Sequence, residues 1–122
     1  MLYILIVDDE PINLMLLNLL LSTNPDNDIV EANSGKKAID ILIENKKDLV
    51  LMDINMPILD GAEATKYIRE NISKDIPIIA LTALERSYFY ENFKDAGFTS
   101  YFSKPIDKDQ LMKLIDSYRD KK

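Results

Sequence analysis

Five side chains of this 122-residue sequence could together handle a phosphoryl group: the adjacent Asp8 and Asp9, a third aspartate at Asp53, the hydroxyl of Thr82 and the ammonium of Lys104. Each stands at or just beyond the end of a short apolar run, at residues 2–7, 48–52, 78–81 and 98–102. If those runs are parallel strands of one sheet, their carboxyl ends share an edge, and open α/β sheets bind ligands at that edge. Three carboxylates, a hydroxyl and an ammonium would then converge on one crevice.

Adjacent carboxylates repel each other, so a chain that keeps Asp8 and Asp9 together at a sheet edge needs a compensating cation. Oxygen ligands without histidine or cysteine favour a hard ion such as Mg²⁺. The same pair also suits a helix start, where aspartate is a common cap and Glu10 and Pro11 fit the first turn. Asp53 favours the metal, because it follows a fully apolar run and should lie beside the pair. A carboxylate attacks phosphate poorly unless a dication screens the phosphoryl charge and aligns the groups. Given such an ion, attack yields an aspartyl phosphate, and the rest is positioning and charge neutralisation. Lys104 can neutralise one phosphoryl oxygen and Thr82 can hydrogen-bond another, while the small Ala83 leaves the pocket open.

These side chains must be held by elements that the hydropathy pattern makes legible. Short β-rich runs alternate with longer segments of helical period, the signature of βα units around a parallel sheet. Strands are expected at 2–7, 28–32, 48–52, 76–81 and 98–102, with a helical segment after each. Asp60 with Glu63, and Asp107 with Gln110, read as caps opening the third and last helices. Leu111, Leu114, Ile115 and Tyr118 give the last helix one apolar stripe, and Gly97 marks the stop of the fourth. The first helix is apolar almost throughout. Leu16, Leu17, Leu20 and Leu21 are expected to face the core, which leaves Ile12, Met15 and Leu19 as a second, outward stripe that calls for a partner. Tyr88, Phe89 and Tyr90 span too wide an arc of helix to be buried together. At least one should be exposed, either through imperfect core packing or as an output or dimer contact.

Size and composition bound the rest. The length fits one domain, residues 1–122, and 47% hydrophobic content supplies a core. A net charge of −6 argues against nonspecific nucleic-acid binding, and Lys121 and Lys122 read as solubilising residues. The absence of cysteine suits a reducing cytoplasm. Met1 leads almost directly into the first run, so no signal peptide is expected, and no apolar stretch reaches the ~18 residues of a membrane span.

The segments Val7-Asp8-Asp9-Glu10, Met52-Asp53-Ile54-Asn55-Met56-Pro57 with Asp60-Gly61, Leu81-Thr82-Ala83 and Ser103-Lys104-Pro105 resemble the receiver domains of two-component response regulators. The likeness spans essentially the whole chain. It implies a flavodoxin-like α/β fold, a (βα)5 three-layer sandwich with a five-stranded parallel sheet of order 2-1-3-4-5. It further implies that Asp53 is the phosphoacceptor, that Asp9 binds Mg²⁺ directly with Asp8 as a second acidic ligand, and that Asn55 offers its backbone carbonyl. Lys104 would pair with Asp53 or its phosphoryl group, and the bond to Pro105 is expected to be cis. Thr82 and Tyr101 would form a switch, although Tyr101 alone also reads as a half-buried strand aromatic.

Pro11-Ile12-Asn13 and Gly61-Ala62-Glu63-Ala64-Thr65 look most like receivers of hybrid kinases or phosphorelays. The resemblance therefore implies a histidine kinase or histidine phosphotransfer protein as partner, docked on Ile12, Met15, Leu19 and Pro105. No enzyme activity beyond weak autophosphorylation and autodephosphorylation is expected. The alternative is a Mg²⁺-dependent aspartyl-phosphate hydrolase of small phosphoesters. Such enzymes usually place a second aspartate where this chain has Asn55. A flavin-binding flavodoxin would need a Ser/Thr/Gly-rich loop after the first strand, which Asp8-Asp9-Glu10 replaces with repelling charge.

Overall fold

The computed structural model describes residues 1–56 and 59–121. Two sequence readings, Pro57 of the third-strand motif and Lys122, lie outside the described residues. The chain alternates strictly: β1 (Leu2–Val7), α1 (Pro11–Leu21), β2 (Asn27–Ala32), α2 (Gly35–Glu44), β3 (Leu49–Asp53), α3 (Gly61–Asn71), β4 (Ile78–Thr82), α4 (Arg86–Phe93), β5 (Ser100–Ser103) and α5 (Lys108–Arg119). All neighbouring strands pair in parallel, in the order β2-β1-β3-β4-β5. This is the expected flavodoxin-like order.

Helices cover both faces, which explains why the central strands are apolar at successive positions rather than at alternate ones. Leu2, Ile4, Ile6, Leu49, Leu51, Ile79 and Leu81 pack against Leu14, Leu17 and Leu21 of α1 and Leu111 and Ile115 of α5. Leu5, Val7, Val50, Met52 and Ile78 face the other way, onto α2 and α3. Phe89 of α4 closes that second layer over Ile54 and Ala80, while the flanking Tyr88 and Tyr90 are exposed, as the aromatic triplet requires.

Strand boundaries shift by a residue or two from those expected. Asp53 pairs with Leu81 and Thr82 with Ser103, so both polar residues are the last of their strands instead of the first beyond them. Pro77 has no N–H for the ladder, and β4 therefore begins at Ile78. Opposite it, the Thr99 hydroxyl accepts the Ile78 N–H at 3.0 Å, which displaces the start of β5 from Phe98 to Ser100.

The first helix departs most from expectation. Its buried line is Leu14, Leu17 and Leu21; Leu20 is only partly buried, and Leu16 is 56% exposed. The caps expected for α3 and α5 are present: Asp60 accepts the Glu63 N–H at 2.8 Å and Asp107 that of Gln110 at 3.0 Å. Helix α4 ends at Phe93, earlier than expected, and Gly97 follows a turn with φ +105°. A Cβ on Gly97 would also lie 2.6 Å from Arg69 Cγ. Arg69 uses that space to donate to the Gly97 carbonyl at 2.8 Å and to the Thr99 hydroxyl at 3.2 Å, tying α3 to the entry of β5.

Among the described residues, Thr65 Oγ1 is the one buried side-chain polar atom without a hydrogen-bond partner. Threonine and valine have similar helix propensity, and an unmet buried hydroxyl costs roughly 1–3 kcal/mol. Thr65→Val is expected to raise stability by about 1 kcal/mol in urea unfolding. A loss of stability would mean that the hydroxyl is satisfied in solution.

Candidate functional site

The site forms because β1, β3, β4 and β5 run parallel and end together. Asp8 directly follows β1, held by its backbone N–H on the Ala32 carbonyl of β2 at 3.1 Å. Its own carboxylate accepts the Glu10 N–H at 3.0 Å, so Asp8 shapes the entry to α1 without being its cap residue; that position belongs to Glu10. β1 and β3 are adjacent, with Val7 opposite Met52, and Asp53 is therefore brought beside the acidic pair.

Carboxylate oxygens of Asp8, Asp9 and Asp53 lie within 4.8 Å of one another. Asp8 and Asp53 are buried and Asp9 is half-buried. Three hard, anionic oxygens gathered so tightly, with no soft ligand near them, fit a divalent cation of the alkaline-earth kind. Lys104 reaches the same place from the β5–α5 loop, its Nζ 3.5 Å from Asp53 Oδ1 and 3.8 Å from Asp8 Oδ2. One ammonium thus faces three carboxylates, leaving an uncompensated negative charge.

Burial pushes the Asp53 carboxyl up from its ordinary range, and the charge of Asp8 adds to that; Lys104 and the Asn55 N–H pull it down. A carboxyl whose folded value is raised stabilises the fold fully below the ordinary carboxylate range, and that stability is lost as pH rises through the folded value. In EDTA, wild type is therefore expected to lose stability relative to Asp53→Asn as pH climbs from about 4 to 7. Urea midpoints of the two proteins that stay a fixed distance apart over that range would contradict the raised value.

The other expected residues take distinct places. Asn55 donates its N–H to Asp53 Oδ1 at 3.3 Å, and the residue is exposed. The Lys104–Pro105 bond is cis. Thr82 is buried at the end of β4, and its hydroxyl accepts the Leu84 N–H at 3.0 Å instead of touching the carboxylates. Tyr101 packs on Phe89, with ring centroids 4.9 Å apart, and donates its hydroxyl to the Leu84 carbonyl at 2.6 Å. Ile12, Met15 and Leu19 are exposed at 65%, 55% and 63%.

Two positions carry weight that sequence reading did not give them. Leu84 is the residue on which Thr82 and Tyr101 both converge, one through its N–H and the other through its carbonyl. Gly61 opens α3 so close to β3 that a Cβ would lie 2.1 Å from the Asp53 carbonyl oxygen. For Gly61 the Asp60-Gly61 dipeptide offered a signal; for Leu84, a plain leucine in a loop, there was none.

The fold and this edge define a receiver. The sequence model of the response regulator receiver domain matches residues 4–116, and the chain belongs to that family, whose members are signalling domains of two-component systems rather than enzymes. Its curated relatives include the polar-differentiation response regulator DivK of Brucella ovis, 33% identical over 116 residues and 94% of each chain. Among solved structures, the chain resembles the receiver domain of a Pseudomonas aeruginosa sensor histidine kinase with a magnesium ion coordinated in its active site cleft. Identity there is 30%, the TM-score 0.86, and 96% of each chain is covered. It also resembles the Thermotoga maritima response regulator TrrA in complex with Mg²⁺-BeF, at 32% identity and TM-score 0.85, over 97% of this chain and 99% of that one.

Proposed function

We propose that this receiver accepts a phosphoryl group on Asp53 in a Mg²⁺-dependent reaction, from a histidine kinase or histidine phosphotransfer protein. The observation that carries this is the gathering of Asp8, Asp9 and Asp53 within 4.8 Å, with Lys104 3.5 Å from Asp53. The charge imbalance suits a dication, and Asp8, Asp9, Asp53 and the Asn55 carbonyl would hold it. The magnesium in the Pseudomonas and Thermotoga relatives supports that choice. When bound, Mg²⁺ would screen the carboxylates and the incoming phosphoryl oxygens from one another.

An Asp53 carboxylate oxygen attacks phosphorus while the bond to the donor nitrogen breaks. Lys104 neutralises charge on the transferred group, and Thr82 turns its hydroxyl toward a phosphoryl oxygen. In doing so Thr82 releases the Leu84 N–H, and Tyr101, bonded to the carbonyl of the same residue, is coupled to that event. Phosphorylation would thus bias the loop after β4 and the aromatic face of α4. The test is intact-mass analysis after incubation with acetyl phosphate. A phosphate adduct that requires Mg²⁺ is expected; an adduct of equal yield in EDTA would overturn the metal's role.

The partner would dock on Ile12, Met15, Leu19 and Pro105; an exposed apolar stripe such as that of the first three is costly to leave bare. Nothing in the helix repertoire places the chain in a membrane: among the described residues, no helix is long and apolar enough to cross one. A cytoplasmic location fits the reading. Aspartate at both Ile12 and Met15 is expected to slow transfer from a phosphorylated histidine phosphotransfer protein about tenfold relative to acetyl phosphate. Equal slowing with both donors would remove the docking role.

A further inference from the structure

We propose that the bare face of α1 pairs with the same face of a second copy of this chain, in a weak twofold dimer. Such pairing would cover the stripe assigned above to the histidine partner; that consequence rests on the docking reading, and the dimer itself does not. Ile12, Met15, Leu16 and Leu19 are each more than half exposed, at a spacing that sets them along one side of the helix. Together they present apolar surface on the order of 400 Å², a size at which an exposed patch marks an interaction site. Charge is missing from this face as well: in a chain that is 30% charged, residues 11–25 contain no acid and no base.

Shape and charge both select a second copy. Beside the ridge of exposed side chains runs a groove of about 400 Å³, banked by Leu16 and Leu20 on one side and by Pro105 and Ile106 on the other. Its two charged lining groups, Asp8 and Lys104, are held against each other at 3.8 Å, which leaves the leucine and isoleucine walls to meet an entering side chain. A face with a ridge next to a groove is complementary to itself, because under a twofold axis each copy's ridge enters the other's groove. An axis perpendicular to α1 also runs the two helices antiparallel, the favourable sense for their dipoles. At 11 residues the helix is about 16 Å long, so the Glu10 carboxylates at the two starts stand apart by more than the screening length of ~8 Å. Each then faces the uncharged residues 22–25 of its mate. A net charge of −6 on each copy opposes contact through the charged faces, and α1 is the face that escapes it.

The patch is about half of the ~800 Å² per partner of a standard stable interface, so the dimer is weak and open to displacement. Sedimentation velocity of the whole chain over about 10–500 µM spans the affinities expected of it. The weight-average mass of wild type is expected to climb from 14.0 kDa toward twice that value across the range. Ile43→Gln and Tyr88→Gln, at exposed positions on α2 and α4, are expected to follow wild type. Leu16→Gln is expected to weaken association at least about tenfold, because the twofold puts the substitution into the contact twice. Its own exposure lets the fold accept glutamine, and circular dichroism checks this. A wild type that stays monomeric to the top of the range overturns the proposal. So does association that survives Leu16→Gln, or that Ile43→Gln or Tyr88→Gln weakens as much. None of these outcomes involves Asp53 or a phosphoryl donor, so failure here leaves the phosphoacceptor reading standing.

Discussion

Asp53→Ala is expected to abolish phosphate incorporation from acetyl phosphate, a loss of at least about a hundredfold, with the fold intact. The effect is so large because no neighbour can substitute. Asp8 is tied down by the Glu10 N–H at 3.0 Å and by Lys104 at 3.8 Å, and Asp9 is the more exposed member of a pair suited to the ion. Asp53 alone ends the apolar strand at the centre of the edge, next to the ammonium that would take up the phosphoryl charge. The fold should tolerate the change, because one carboxylate fewer relieves the imbalance of three against one lysine. Incorporation is read by intact mass and folding by circular dichroism. An adduct that survives at wild-type yield would place the nucleophile elsewhere.

Gly61→Ala is expected to be the most damaging small substitution, costing about 2–4 kcal/mol of stability and at least about tenfold in phosphorylation rate. Helix propensity argues the other way, since alanine is favoured over glycine in a helix by roughly 0.5–1 kcal/mol. The clash outweighs it. The new Cβ would sit 2.1 Å from the Asp53 carbonyl oxygen and 2.9 Å from its carbonyl carbon, and backbone cannot rotate aside as a side chain can. Relief requires moving β3 and α3 apart by about an ångström, and a displacement of that size at a reacting group can cost ~100-fold. Urea unfolding and the acetyl phosphate rate check the two parts. A gain in stability would show that the loop before α3 yields freely.

What the sequence makes legible here are features fixed by local chemistry. Runs such as Leu49 to Met52 and Ile78 to Leu81 are apolar without alternation because both sheet faces are covered, and the polar residue ending each run marks the functional edge. Asp60 and Asp107 announce their caps through residue type alone. Helix α1 resists phasing because its apolar residues are nearly continuous: with only Asn13 and Asn18 as polar markers, period alone cannot separate Leu14 from Leu16. The entry of β5 is not legible in the sequence because a tertiary bond, Ile78 to the Thr99 hydroxyl, competes there with the ladder. The convergence on Leu84 is a backbone relation, and the side-chain sequence carries no trace of it.

The central claim is that Asp53 carries the phosphoryl group, and peptide mapping tests it most directly. The protein is phosphorylated with acetyl phosphate and Mg²⁺, then reduced with borohydride, which converts an aspartyl phosphate to homoserine, and digested at lysine and arginine. Cleavage after Lys47 and Lys66 isolates Asp53 from Asp8 and Asp9, which fall in the peptide ending at Lys36. Homoserine at position 53 is the result expected. Homoserine at Asp8 or Asp9, with position 53 unchanged, would contradict the account.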